Sequence, residues 1–159
     1  MKKKETIINI AIVIVVILII VIVKVKFFSG GNPQAGYIQD MEKMTVLDLK
    51  GNAVKFTSLL SGDDETFVLI LTVYDCHTCI LKGHEQLKSL KKEGKQAIGL
   101  VVSDDVPDIA LWAQNYESAA FYVIKKVDFY THIRAQQLPV MFTIEDKKVT
   151  GSKAITTEP

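Results

Sequence analysis

Seventeen consecutive residues, Ile7 to Val23, carry a single polar side chain, Asn9, and this run dictates how the rest of the chain is organised. A helix rises about 1.5 Å per residue, so the run covers roughly 25 Å, and continuing through Lys24 to Phe28 brings it near the thickness of a hydrocarbon core. Lys24 and Lys26 can lay their stems along such a helix and place their ammonium groups at the interface, with Phe27 and Phe28 as interfacial anchors. A cleaved secretory signal shares the lysine-rich start. This run, however, is longer than the usual signal core, no A-x-A cleavage site follows it, and no cysteine closes it as in a lipoprotein. The expectation is an uncleaved signal-anchor helix over residues 1–28, touching membrane lipid through residues 7–28. Lys2, Lys3, Lys4 and the α-amino group precede it, against Lys24 and Lys26 after it. This asymmetry predicts a single-pass protein of the cell membrane with its N-terminus cytoplasmic and its domain extracytoplasmic.

Beyond the anchor, the 159-residue chain has room for one compact domain. Five of the 19 basic residues and one of the 18 acidic ones flank the apolar run, which leaves 14 against 17, a net of −3, from residue 27 onward. Nucleic-acid binding would need a basic stripe on the folded part and is not expected. Two cysteines cannot frame a disulfide-rich scaffold. Ser29 to Gly36 (SGGNPQAG) has the composition of a tether, so residues 29–43 are read as linker and 44–159 as the domain.

Within the domain, Thr45 to Leu49 alternates apolar and polar residues, Lys50-Gly51-Asn52 supplies a turn, and Ala53 to Phe56 completes a hairpin. Phe67 to Val73 (FVLILTV) is a strand-length apolar run that suits a strand buried on both faces. Ile80, His84, Leu87 and Leu90 then follow at helical spacing, closed by Gly94. Ala97 to Val102 is a second buried strand, Pro107 to Tyr116 a helix with proline in its first turn, and Phe121 to Val127 another strand. Asp128 is placed to cap a short helix through Ala135, and Val140 to Ile144 with Lys147 to Gly151 form a closing hairpin around Glu145-Asp146. Strands alternating with helices and ending in a hairpin predict an α/β domain with a mixed central sheet flanked by helices.

Between the apolar strand and its helix stands Cys76-His77-Thr78-Cys79. At a helix N-terminus the unsatisfied N–H groups and the positive end of the dipole stabilise a thiolate, which makes Cys76 nucleophilic near neutral pH. Cys79, one turn later, is placed to resolve a mixed disulfide on Cys76, so the pair can exchange two electrons with a partner dithiol. His77, when protonated, favours the thiolate, and Thr78 is small and polar. Half of a zinc site is the competing reading, but a zinc ribbon needs a second cysteine pair and the chain has none.

The strand FVLILTVYD entering CHTC, with Leu138-Pro139-Val140 opening a final hairpin sixty residues later, resembles the thioredoxin superfamily, and more narrowly the membrane-anchored thiol-disulfide oxidoreductases of the TlpA/ResA type. The resemblance runs from Met44 to Gly151. It implies a thioredoxin-like fold in which VLDLKGNAVKFTSLL is a hairpin ahead of the core and FYVIKKV an insertion-bearing strand. It also implies that Cys76 attacks, Cys79 resolves, and Pro139 is a cis-proline that turns the backbone of Leu138 toward the sulfurs, where a substrate strand could pair. His77 and Thr78 then belong with Leu138 to the substrate-binding surface. The chain departs from the family in three places. Asp75 precedes Cys76 where an aromatic is usual. Ile70 stands where thioredoxins carry a buried acid, leaving Asp75, Glu85 or water to move the proton of Cys79. The C-terminal helix of the fold is missing or truncated, because the chain stops at Pro159.

His84 shares the stripe of Ile80 and Leu87 and is read as a packed or rim histidine, and Trp112 as packing its helix on the sheet. His132 lies near Pro139 in sequence, so a copper site of Cys76, Cys79 and a histidine is an alternative use of the same sulfurs. A peroxidase is disfavoured, since it would want an arginine near a lone cysteine and the chain offers Arg134 alone beside a CxxC. The function read from the sequence is therefore exchange of a CxxC dithiol/disulfide with protein substrates, favoured as a reductase and recharged by a membrane or extracytoplasmic electron donor. No cofactor and no metal are expected. A copper-delivery protein and a redox-silent interaction module are the alternatives.

Overall fold

The computed structural model describes residues 35–60, 62, 64–116 and 120–157. The chain divides into two units, Met1–Pro33 and Gln34–Pro159, and every described residue belongs to the second. The expected anchor and the glycine-rich start of the linker lie outside the described residues. Among those described, no helix is long and apolar enough to cross a membrane.

Seven strands form one mixed sheet: β2 (Thr45–Leu47), β3 (Ala53–Lys55), β4 (Thr66–Leu71), β5 (Gln96–Val102), β6 (Ala120–Ile124), β8 (Val140–Glu145) and β9 (Lys148–Ala154). Their spatial order is β3-β2-β6-β5-β4-β8-β9, with β4, β5 and β6 mutually parallel and the outer pairings antiparallel. β1 (Gly36–Ile38) and β7 (Ile133–Ala135) make a separate two-stranded sheet. β4 has no polar face because it is covered on both sides: Val68 and Ile70 enter one core, Leu69 and Leu71 the other. Helix α1 (His77–Lys92) links β4 to β5 and packs Ile80 and Leu87 into the second core. It ends as the glycine predicted: Gly94 adopts φ 76°, its N–H reaches the Lys91 carbonyl and Lys95 N–H reaches that of Leu90, the paired bonds of a Schellman cap.

The predicted hairpins and buried strands are present, with shifted ends. The helix expected over Pro107 to Tyr116 is α2 (Val106–Ala113); Asp105 caps it by accepting the Asp108 N–H, and it unwinds into tight turns whose N–H groups at Asn115 and Tyr116 bond to Trp112 and Ala113. The strand expected to reach Val127 stops at Ile124, and α3 (Lys126–His132) begins two residues later. Asp128 is therefore not its cap but a first-turn residue, where a carboxylate still favours the dipole. Instead Asp104 anchors this helix start, accepting the Lys126 N–H at 3.2 Å and pairing with its ammonium at 3.5 Å. Ile133 to Ala135, expected to continue that helix, are extended because they pair with β1, itself inside the stretch read as linker. The last hairpin turns at Asp146-Lys147, one residue later than expected; both have positive φ, the twist that suits a two-residue loop.

No helix follows β9 among the described residues. On β8, Val140, Phe142 and Ile144 enter the first core, whereas on the opposite face Met141 is buried, Thr143 half-buried and Glu145 exposed. The face grows polar where it lacks a cover. Ile155, just past β9, closes the second core beside Met141, and the Lys82 ammonium donates to the Thr156 carbonyl.

Candidate active site

β4 ends at Leu71, and the chain turns through Thr72 to Asp75 before the cysteines. Asp75 sets this turn: its carboxylate accepts the Thr72 N–H at 2.6 Å and the Thr72 hydroxyl at 2.9 Å, while Thr72 Oγ1 accepts the Tyr74 N–H at 3.3 Å. Cys76 is the N-cap of α1 and is exposed; its Sγ accepts the Cys79 N–H at 3.2 Å. Cys79 is 7% exposed and sits in the second core with Leu69, Leu71 and Ile80. The two are joined as a disulfide, with their Cα atoms 5.1 Å apart. His77 and Thr78 occupy the first turn and are exposed.

Pro139 follows a cis peptide bond from Leu138. Val140 pairs with Ile70 in antiparallel register, so Leu138 and Pro139 stand at the same end of the sheet as the turn that leads to Cys76. The Pro139 carbonyl accepts the Ile155 N–H at 2.8 Å, and Leu138 packs against the first core. The structure thus places all six residues singled out in the sequence around one sheet end.

Of the other candidates, Asp75 alone adjoins this end. Asp75 spends both carboxylate oxygens on Thr72, so its part is to shape the loop, and Glu85 is exposed, 3.8 Å from Lys88. Ile70, where the resemblance leads one to look for an acid, is fully buried in the first core. His84 is buried as expected, its ring edge-on to Tyr116 at 4.9 Å, and burial lowers its pKa from the ordinary imidazole value. His132 ends α3, where its carbonyl accepts the Gln39 N–H at 2.8 Å. Among the described residues no three His, Cys, Asp or Glu side chains come together as a metal site, so the ligand set Cys76, Cys79 and His132 is not assembled. The Thr72–Asp75 turn was missed in the sequence; a Thr-x-x-Asp spacing directly after a buried strand is the signal that could have found it.

No family model and no curated protein matches the sequence. Solved structures do match in shape. A secreted Mycobacterium tuberculosis disulfide oxidoreductase homologous to E. coli DsbE superposes with a TM-score of 0.55 at 13% identity, over 74% of this chain and 87% of that one. A thiol:disulfide interchange protein from Bacteroides sp. gives 0.55 at 15% identity, over 75% and 80%. BsSco, a member of the Sco family of cytochrome c oxidase assembly proteins in which a disulfide switch was identified, gives 0.56 at 14% identity, over 80% and 88%. With a parallel β4-β5-β6 core, an antiparallel closing hairpin and a disulfide at the start of the helix after β4, the chain has the thioredoxin-like fold, and Cys76-His77-Thr78-Cys79 is its CxxC motif.

Proposed function

We propose that this chain is a membrane-anchored, extracytoplasmic protein thiol-disulfide oxidoreductase of the TlpA/ResA type. The observation that carries the reading is the inequality of the two sulfurs: Cys76 caps the helix and is exposed, whereas Cys79 lies a turn inside and is buried. In the reduced protein the Cys76 thiolate, stabilised by the helix start, attacks a substrate disulfide and releases one substrate thiolate. Cys79 then attacks Cys76 in the mixed disulfide, the second substrate thiolate leaves, and the Cys76–Cys79 bond closes. The backbone of Leu138, set by Pro139, offers an edge to the substrate strand, and His77 and Thr78 border it. A membrane or extracytoplasmic electron donor returns the pair to the dithiol.

Substituting Cys79→Ser leaves attack intact and removes resolution, so covalent mixed disulfides with partner proteins accumulate, while Cys76→Ser traps none. Trapping by both variants alike contradicts the assignment of roles. A copper-delivery protein traps nothing with either variant, and a redox-silent module is unchanged in both.

The location rests on the lysine asymmetry around Ile7–Val23 and on the need of a dithiol for a compartment where both oxidation states occur. A reporter active only outside the cytoplasm, fused after Pro159, is expected to be active. Activity of a cytoplasmic reporter at the same place defeats the topology.

A further inference from the structure

We infer that the cleft beside the Cys76 turn selects substrate segments in which a basic residue flanks the reacting cysteine, an inference that rests on the oxidoreductase reading and names its substrate class. The cleft encloses about 460 Å³ between the turn after β4, the loop after β5 and the starts of α2 and α3. Its inner wall includes the buried Ile109, and its rim carries two exposed rings, Tyr74 (92% exposed) and Tyr130 (64% exposed). Solvated tyrosines at a rim offer apolar area and π-faces that attract a cation.

Charge gives the cleft its sign. Three carboxylates, Asp104, Asp105 and Asp108, and one ammonium, Lys126, line it. Asp104 and Lys126 offset one another in their ion pair. Asp105 and Asp108 are exposed and belong to no ion pair among the described residues. The charged side chains of the cleft therefore sum to −2, offset in part by the start of α2.

Position connects the cleft to the chemistry. Tyr74 lies two residues before Cys76, so their Cα atoms are at most about 7 Å apart. A peptide whose sulfur reaches Cys76 Sγ has its adjoining residues within reach of Tyr74 and the cleft mouth. A lysine or arginine there meets the tyrosine faces and the carboxylates of Asp105 and Asp108; a glutamate meets like charge.

The test uses the oxidised full-length protein and three short peptides that hold one cysteine flanked by Lys, Gln or Glu. A peptide thiolate attacks Cys76 Sγ, the Cys76–Cys79 bond breaks and Cys79 leaves as thiolate; a second peptide thiolate then frees Cys76 and forms the peptide disulfide. Each rate is divided by that of the same peptide with the uncharged 2-hydroxyethyl disulfide, which removes the effect of flanking charge on thiol reactivity. The Lys peptide is expected to exceed the Gln peptide about fivefold and the Glu peptide on the order of thirtyfold at low salt, as for two charges about 8 Å away through water, and to lose most of this at 0.5 M salt. In the Asp105→Asn/Asp108→Asn variant both ratios fall to near one. Asparagine keeps the cap acceptor of α2, so the helix stays capped. Equal rates for the three peptides, or a Lys preference unchanged in the double variant, overturn the inference and leave the oxidoreductase reading standing. No exchange with any peptide overturns that reading, and this one with it.

Discussion

Cys76 and Cys79 differ because one side chain caps a helix and the other packs into a core, and this much followed from their place between an apolar strand and an apolar-striped helix. His84 followed from the same stripe. Its effect on stability has a definite sign. Burial is the main cause of its lowered pKa, with Glu85 opposing the shift and Lys88 adding to it. The folded chain therefore keeps this imidazole neutral at pH values where the unfolded chain has already taken up the proton. Stability is fully present above the ordinary imidazole value of about 6.5 and is lost as pH falls below it. Acidification from pH 8 to 5.5 is expected to lower the melting temperature more in the wild type than in a His84→Gln variant. Equal slopes in the two proteins mean that His84 is not the group responsible. Asp75 was less legible at this scale. Its carboxylate bonds backward to Thr72, and only the Thr-x-x-Asp spacing after the strand distinguishes that from a carboxylate facing the sulfurs.

Between elements, the aromatic residues that fix α2 to the sheet depend on a glycine in the middle strand. Trp112 lies tilted against Tyr116 at 4.5 Å and meets Phe121 edge-on at 5.3 Å, and Tyr116 in turn stands against His84 on α1. A Cβ at Gly99 on β5 would run into the Phe121 ring. Gly99→Ala is expected to displace that ring, to cost about 1–3 kcal/mol as an overpacked core does, and to change the emission of Trp112, the chain's single tryptophan. Denaturant unfolding followed by fluorescence measures both; an unchanged midpoint and spectrum mean that Phe121 has room to move. Long elements with clear period were readable in the sequence, notably β4, β5 and α1. The three-residue strands β1 and β7 were not. They have no period of their own, and only their mutual pairing, across almost a hundred residues, makes them extended. α3 was displaced for a similar reason, since its start is fixed by Asp104 from another loop.

Taken whole, the domain buries both faces of its central strands without a C-terminal helix among the described residues: α1 and α2 cover the second core, while β1, β7 and α3 contribute to the first. This arrangement bears on the direction of electron flow. Cys79 lies in the apolar core with Leu69, Leu71 and Ile80, where a neutral disulfide costs little and a thiolate would be poorly solvated. The exposed helix start at Cys76 acts the other way by favouring a thiolate. If the buried sulfur dominates, folding stabilises the disulfide over the dithiol, the potential of the pair falls below that of an unfolded CxxC, and the protein acts as a reductase. Because about 30 mV corresponds to about 1.4 kcal/mol for a two-electron couple, the two quantities are one measurement made twice. The oxidised protein is expected to unfold at higher denaturant concentration than the reduced protein, and its potential to lie far below about −120 mV, the strongly oxidising end of the range. A reduced form more stable than the oxidised one makes the helix start dominant and the protein an oxidant.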